Sequence, residues 1–250
     1  MYSAELLGDP LSEGLVMKGG LRSSLGSDTI GGIERWDFTN ELYAGVGYGD
    51  AQVEAAVPIT FRTMGGETLT GFGDVAVRGS VELVRFQNPA SSDTLRLMPV
   101  FYVAPTTGPR VWQWSLSTQA VTPQMGLGFR HSAEQWAVSA TAFAALPIAL
   151  KDSVFTWGPS AGVGASVEYA PWQWFEGKLA LDFHHQWAAS DAGAPILDSQ
   201  VTSLFAGVEA RVRPIRKFAI AAALSQPLFS LSPGQNVQSR VYRLGVELAL

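Results

Sequence analysis

The residues of this chain able to do chemistry are few, and most are charged. His184 and His185 stand side by side, with Asp182 just before them, Asp191 and Asp198 shortly after, and Ser190, Ser199 and Ser203 close by. Nucleophilic hydrolysis needs a serine, a base and an orienting carboxylate in one constellation. No spacing here fixes a serine opposite a histidine, and strand parity sends His185 to the face opposite Asp182. His131 lies well apart from this group. A hydrolase is the least supported of three functional readings. Asp28, Glu34, Glu67, Asp191 and Asp198 reproduce no metal-loop spacing, and neither a helix nor a Lys-Ser/Thr pair follows Gly71 to Asp74, so that run is no phosphate loop. No metal or cofactor is expected.

The remaining charges follow a rule of two. Lys18, Arg22, Glu54, Arg62, Arg78, Glu82, Arg96, Arg130, Glu168, Glu176, Lys178, Asp182, Glu209, Arg211, Arg213, Arg243 and Glu247 fall on one face of their segments. Small residues such as Gly45, Gly47, Ala56, Gly126, Gly128, Gly162 and Gly164 share that face, where a polar side chain at Ala56 is expected to be tolerated better than Arg at Val208 or Leu181 on the apolar face. The opposite face is apolar: Val53, Ala55, Val57, Ile59 and Phe61 in one segment, Tyr242, Leu244, Val246, Leu248 and Leu250 in the last. Alternation with period two is the mark of a strand with unlike surroundings on its two faces. The charges either pair with one another inside a narrow interior or line an open passage and select by charge.

Composition says which surroundings these are. Charged residues make up 16% of the chain and apolar ones 47%, with eight tryptophans, whereas a soluble domain carries about 25% charge. Polar residues interrupt every apolar run before it reaches the length of a membrane helix. Hydrophobicity spread as alternation suits a closed barrel in lipid, with the apolar face outward and the charged face in the lumen. There is no cysteine, which suits an oxidising compartment. A net charge of -5 without a basic cluster argues against nucleic acid. No apolar N-terminal block is present, so an exported chain is expected here in its mature form.

The pattern predicts strands over 15–25, 37–48, 51–62, 73–86, 94–104, 119–131, 136–147, 159–170, 174–187, 200–213, 215–225 and 238–250, twelve in all. Connections near Asp50 and over 87–93, 132–135, 171–173 and Pro214 are short. Those over 26–36, 63–72, 105–118, 148–158, 188–199 and 226–237 are longer. Short periplasmic turns and long outer loops are the expected asymmetry of an outer-membrane barrel. Aromatic belts are expected at both ends: Tyr48, Phe86, Trp136, Tyr169, Trp172, Trp174 and Phe218 near the short turns, and Trp36, Phe61, Trp112, Trp114, Trp157 and Trp187 near the loops. Residues 1–14 do not alternate and read as a tail or a lumen plug, with the barrel spanning 15–250.

Two segments, GYGDAQVEAAVPITFR and GFGDVAVRGSVEL, resemble the twelve-stranded outer-membrane channels of the MetA-pathway phenol-degradation family. In that family a strand with a Pro near its end precedes a loop and a Gly-Phe/Leu-Gly-Asp motif, matched here by Gly71, Phe72, Gly73 and Asp74. The chain ends in Leu250, where many barrels have Phe or Trp. The resemblance implies passage of small, often apolar or aromatic compounds across the bacterial outer membrane.

The sequence is therefore read as an all-β, antiparallel transmembrane barrel of twelve strands, a non-enzymatic channel for a small solute. Its partners would be outer-membrane lipid, lipopolysaccharide and that solute. The second reading is a barrel with a closed lumen that anchors a cell-envelope protein partner. The third is an outer-membrane hydrolase.

Overall fold

The structure is a computed structural model that describes residues 15–30, 33–104, 120–150, 155–191, 193–196, 199–215, 218–231 and 237–249. Its strands are β1 (Leu15–Ile30), β2 (Ile33–Tyr48), β3 (Ala51–Met64), β4 (Glu67–Phe72), β5 (Val75–Asn88), β6 (Ser91–Val103), β7 (Ala120–Ala133) and β8 (Trp136–Ala145). After the short β9 (Ile148–Ala149) and β10 (Phe155–Thr156) come β11 (Ser160–Trp172) and β12 (Phe175–Gln186). The short β13 (Ser190–Asp191) and β14 (Ala194–Pro195) precede β15 (Val201–Ile215), β16 (Phe218–Leu231) and β17 (Val237–Ala249).

Each long strand lies antiparallel beside its neighbours in the chain. The order runs β2, β3, β5, β6, β7, β8, β11, β12, β15, β16, β17. β1 pairs with β2 along one edge and with β17 along the other. The result is a curled antiparallel sheet of the transmembrane barrel kind. A small separate sheet of β10, β13 and β14 sits among the connections at the loop end.

Burial follows the pleat and is inverted relative to a soluble protein. Along β3, Gln52, Glu54 and Ala56 are buried while Val53 and Val57 between them are exposed. The same inversion leaves Leu42, Val81, Leu179 and Val208 exposed, and buries Ser80, Arg96, Ser139 and Ser203. Exposed aromatic residues gather at the ends. Trp172 stacks on Trp174 with centroids 5.1 Å apart, and Trp136 on Tyr169 at 4.4 Å, at the short-turn end. Trp187 packs edge-on against His185 at the loop end. Trp112 and Trp114 lie outside the described residues, as does the segment 1–14.

The structure departs from the sequence reading in three places. The stretches expected as loops at 26–36 and 63–72 are mostly strand: β1 and β2 stay paired up to Ile30 and Ile33, and β3 turns tightly into β4 at Gly65–Gly66. Both glycines have positive φ, 60° and 85°, which makes a two-residue turn matched to strand twist. Polar, Gly-rich composition suggests a loop, but above the apolar belt it serves equally well for strands that stand in water. β16 likewise continues past 225 to Leu231.

Ala56, on the inner face, is fully buried in a cluster with Tyr43 and Ala76, against which Tyr102 packs, so this inner position is packed and not open. Two outcomes follow. Val208→Arg or Leu181→Arg, on the apolar face, should cost about 2–4 kcal/mol near the bilayer midplane. Ala56→Gln should also destabilise, by about 1–3 kcal/mol through overpacking. Urea titration of protein folded into vesicles reads both, and a neutral Ala56→Gln would contradict the packed wall.

Candidate functional site

The inner wall gathers its charges into a belt on the short-turn half. Register builds the first cluster. β1 sets Arg22 opposite Glu41 of β2, and β3 sets Glu54 opposite Arg78 of β5. The two pairs are staggered along the wall, so each guanidinium reaches both carboxylates. Arg22 lies 3.0 Å from Glu41 and 2.8 Å from Glu54, while Arg78 lies 2.9 Å from each. Lys18 adds a third cation 3.5 Å from Glu54, which is 1% exposed. The Arg22 guanidinium also lies over the Tyr43 ring at 3.7 Å. Gly20 makes room for that ring: a Cβ there would stand 2.7 Å from the Tyr43 hydroxyl.

The belt continues around the wall. Glu82 pairs with Arg85 at 2.7 Å and with Arg96 at 3.3 Å. Glu168 pairs with Arg130, and Lys178 approaches it at 4.0 Å. Arg211 lies 3.5 Å from Glu209, and Arg213 lies 3.4 Å from Glu176. Burying charge in a dry interior is tolerable only with such pairing. Glu41, Glu54, Glu82 and Glu168 are each shared by two or more cations. A separate pair stands nearer the loop end, where Arg62 grips Asp37 through two bonds of 2.7 Å.

The other expected residues are distributed around this belt. Arg243 stands opposite Ser24, and Glu247 opposite Gly20, which places both at inner-face register positions of β17. Asp182 turns toward β11 and β8: its Oδ1 lies 2.5 Å from where a Gly164 Cβ would sit, a position only 2.9 Å from Thr141 Oγ1. His184 stacks on Phe143 at 6.0 Å. Register sets Ser203 opposite His184, whose imidazole lies against the Phe143 ring. His185 faces outward, bonded to Thr202 at 2.7 Å, as parity expects.

Gly71 and Phe72 end β4, and Gly73 and Asp74 form the break before β5. β3 pairs with β4 over Ile59–Met64 and with β5 over Ala51–Ala56, and the Gly73 amide bonds the Pro58 carbonyl at 3.1 Å where the partner changes. The motif therefore interrupts a strand and sets the register that carries Arg78 to Glu54.

Two participants escape the list of charged inner residues drawn from sequence. Glu41 is half of the first cluster and was legible by parity in its strand. Arg85 was not: parity counted from Arg78 and Glu82 sends it outward, but a register shift between Glu82 and Val84 turns it inward opposite Thr94. A bulge adds one residue and reverses parity beyond it.

No family model and no curated relative matches this sequence. Among solved structures, the chain is similar to the COG4313 outer membrane channel from Pseudomonas putida F1, with a TM-score of 0.77 and 14% identity over 97% of this chain and 100% of that one. It is also similar to the KdgM porin, with a TM-score of 0.51, 7% identity and coverage of 92% and 98%. The β domain of the Bordetella autotransporter BrkA gives 0.51, 12%, 93% and 98%. At these identities the likeness shows the fold. That fold is a β-barrel of the outer-membrane kind, and the apolar outer face of the sheet suits contact with lipid.

Proposed function

We propose that the chain is a closed barrel of twelve staves, with β4 and β5 as one interrupted stave, through which a small apolar or aromatic solute crosses the outer membrane passively. Closure is supported by the pairing of β1 with both β2 and β17. The family reading rests on the Gly71–Asp74 motif together with the likeness to the channel of Pseudomonas putida. Passage is supported by one observation, a polar and charged inner face inside an apolar outer one: Glu54, Arg96, Ser139, Glu168 and Ser203 are buried while Val53, Leu179 and Val208 are exposed. No covalent chemistry is needed for a solute to move along such a wall.

The short turns face the periplasm in this reading and residues 1–14 are a tail or plug. The alternative is an anchoring barrel with a closed lumen, favoured by how fully the Arg22–Glu41–Glu54–Arg78 cluster occupies its side.

Cysteine introduced at Asp191 should label from outside intact cells and cysteine at Gln135 should not; the reverse pattern would invert the topology. In planar bilayers the purified protein should give discrete current steps. Arg211→Glu should shift the reversal potential in a salt gradient toward cations, because fixed charge sets the local ion concentration. Removing residues 2–14 should raise the current if they plug the lumen. Full-length and truncated proteins that fold yet stay silent, and that admit no small solute to liposomes, would transfer support to the anchoring role. Glu54→Gln leaves three buried cations with one fewer carboxylate, and should cost about 3–5 kcal/mol in urea titration. Glu209→Gln, in a more exposed pair, should cost less.

A further inference from the structure

The outward positions of β5, β6, β7, β8, β11 and β12 hold one carboxylate among the described residues, Asp93, and no lysine or arginine. Arg96 and Met98 are buried, so parity turns Asp93 outward with Leu95 and Leu97. A charge on the lipid face is costly in the middle of the bilayer and cheap only toward an interface. Asp93 meets that condition, because it lies just past the turn that joins β5 to β6. Asn88 fixes this turn: its Oδ1 accepts the amides of Ala90 and Ser91 at 3.0 and 2.8 Å, and its Nδ2 donates to Ser91 Oγ at 2.8 Å.

Register then builds a row across the outer surface. Phe86 stands opposite Asp93, and His131 of β7 stands on the other side of Asp93. His131 Nδ1 lies 2.6 Å from Asp93 Oδ1, with the two side chains 45% and 37% exposed. The bond uses one ring nitrogen and one carboxylate oxygen, which leaves His131 Nε2 and Asp93 Oδ2 for a partner outside the wall. Aromatic rings frame the pair: Phe86 is 70% exposed, and Trp136, opposite Ala133, is 55% exposed and packs on Tyr169. This is the level at which headgroups meet acyl chains. Other outward polar residues satisfy one another without a carboxylate, Ser23 with Asn40 and His185 with Thr202.

We infer that Asp93 and His131 form a headgroup site for phosphatidylethanolamine in the inner leaflet. The inner-leaflet placement rests on the orientation proposed above, with the short turns toward the periplasm. The Asp93 carboxylate takes the primary ammonium, and His131, in its imidazolium form, donates from Nε2 to the phosphate. A zwitterionic headgroup is the complement of a carboxylate and an imidazolium side by side. Phosphatidylglycerol brings an anion toward Asp93 and no cation to offset it. The quaternary cation of phosphatidylcholine has no N–H to donate, so it loses the charge-assisted bond. Phe86 and Trp136 flank the glycerol and the first methylenes.

The test offers protein purified in detergent and stripped of lipid equal amounts of dioleoyl phosphatidylethanolamine, phosphatidylcholine and phosphatidylglycerol, and counts bound lipid by native mass spectrometry. The unaltered protein should retain phosphatidylethanolamine over either competitor by about fivefold, the scale of one exposed ion pair. Asp93→Asn and His131→Gln should each remove that preference in protein whose heat-modifiable gel mobility shows an intact barrel. Equal retention of the three lipids by the unaltered protein overturns the site, and that comparison needs no variant to fold. A preference for phosphatidylglycerol overturns it as well, since His131 would then act alone as an anion contact. A preference that survives both substitutions puts the lipid elsewhere on the barrel. Labelling of Gln135→Cys from outside intact cells overturns the inner-leaflet placement. Absence of current in planar bilayers counts against the channel reading and leaves the headgroup preference as measured.

Discussion

Inside hydrocarbon a backbone amide has no water to bond, so a chain that crosses as strands must satisfy every N–H and C=O with another strand. The rest of this structure follows from that demand. Each long strand is paired along both edges to its chain neighbours, and β1 is shared between β2 and β17. Because the pleat alternates side chains, pairing of this kind commits every second residue to lipid and the others to the interior. Val53, Leu179 and Val208 are consequently exposed, and Glu54, Arg96 and Ser139 are buried.

The interior must then manage charges that the pleat brings together. It does so by register: Arg22 beside Glu41, Glu54 beside Arg78, and Lys178 between Glu168 and Glu209. Because removing one member exposes the others to an uncompensated charge, the belt acts as a cross-brace between strands far apart in the chain.

Alternation alone, read along residues 37–62 or 159–187, was enough to identify strands, the face each side chain takes and the lipid surroundings, because the period of two is a local property of the extended chain. Short turns such as Gly49–Asp50 and the inward placement of Arg22, Glu54, Arg78 and Glu168 were legible for the same reason. What tertiary structure decided is everything that depends on register between strands. Arg85 turns inward because a bulge after Glu82 shifts parity, and Ala56 is closed off because Tyr43, Ala76 and Tyr102 meet over it. The segments 26–30 and 67–72 are strand because a partner lies beside them. Which carboxylate meets which guanidinium was likewise settled by hydrogen bonds between residues distant in the chain. Those bonds have no signature in the local order of residue types.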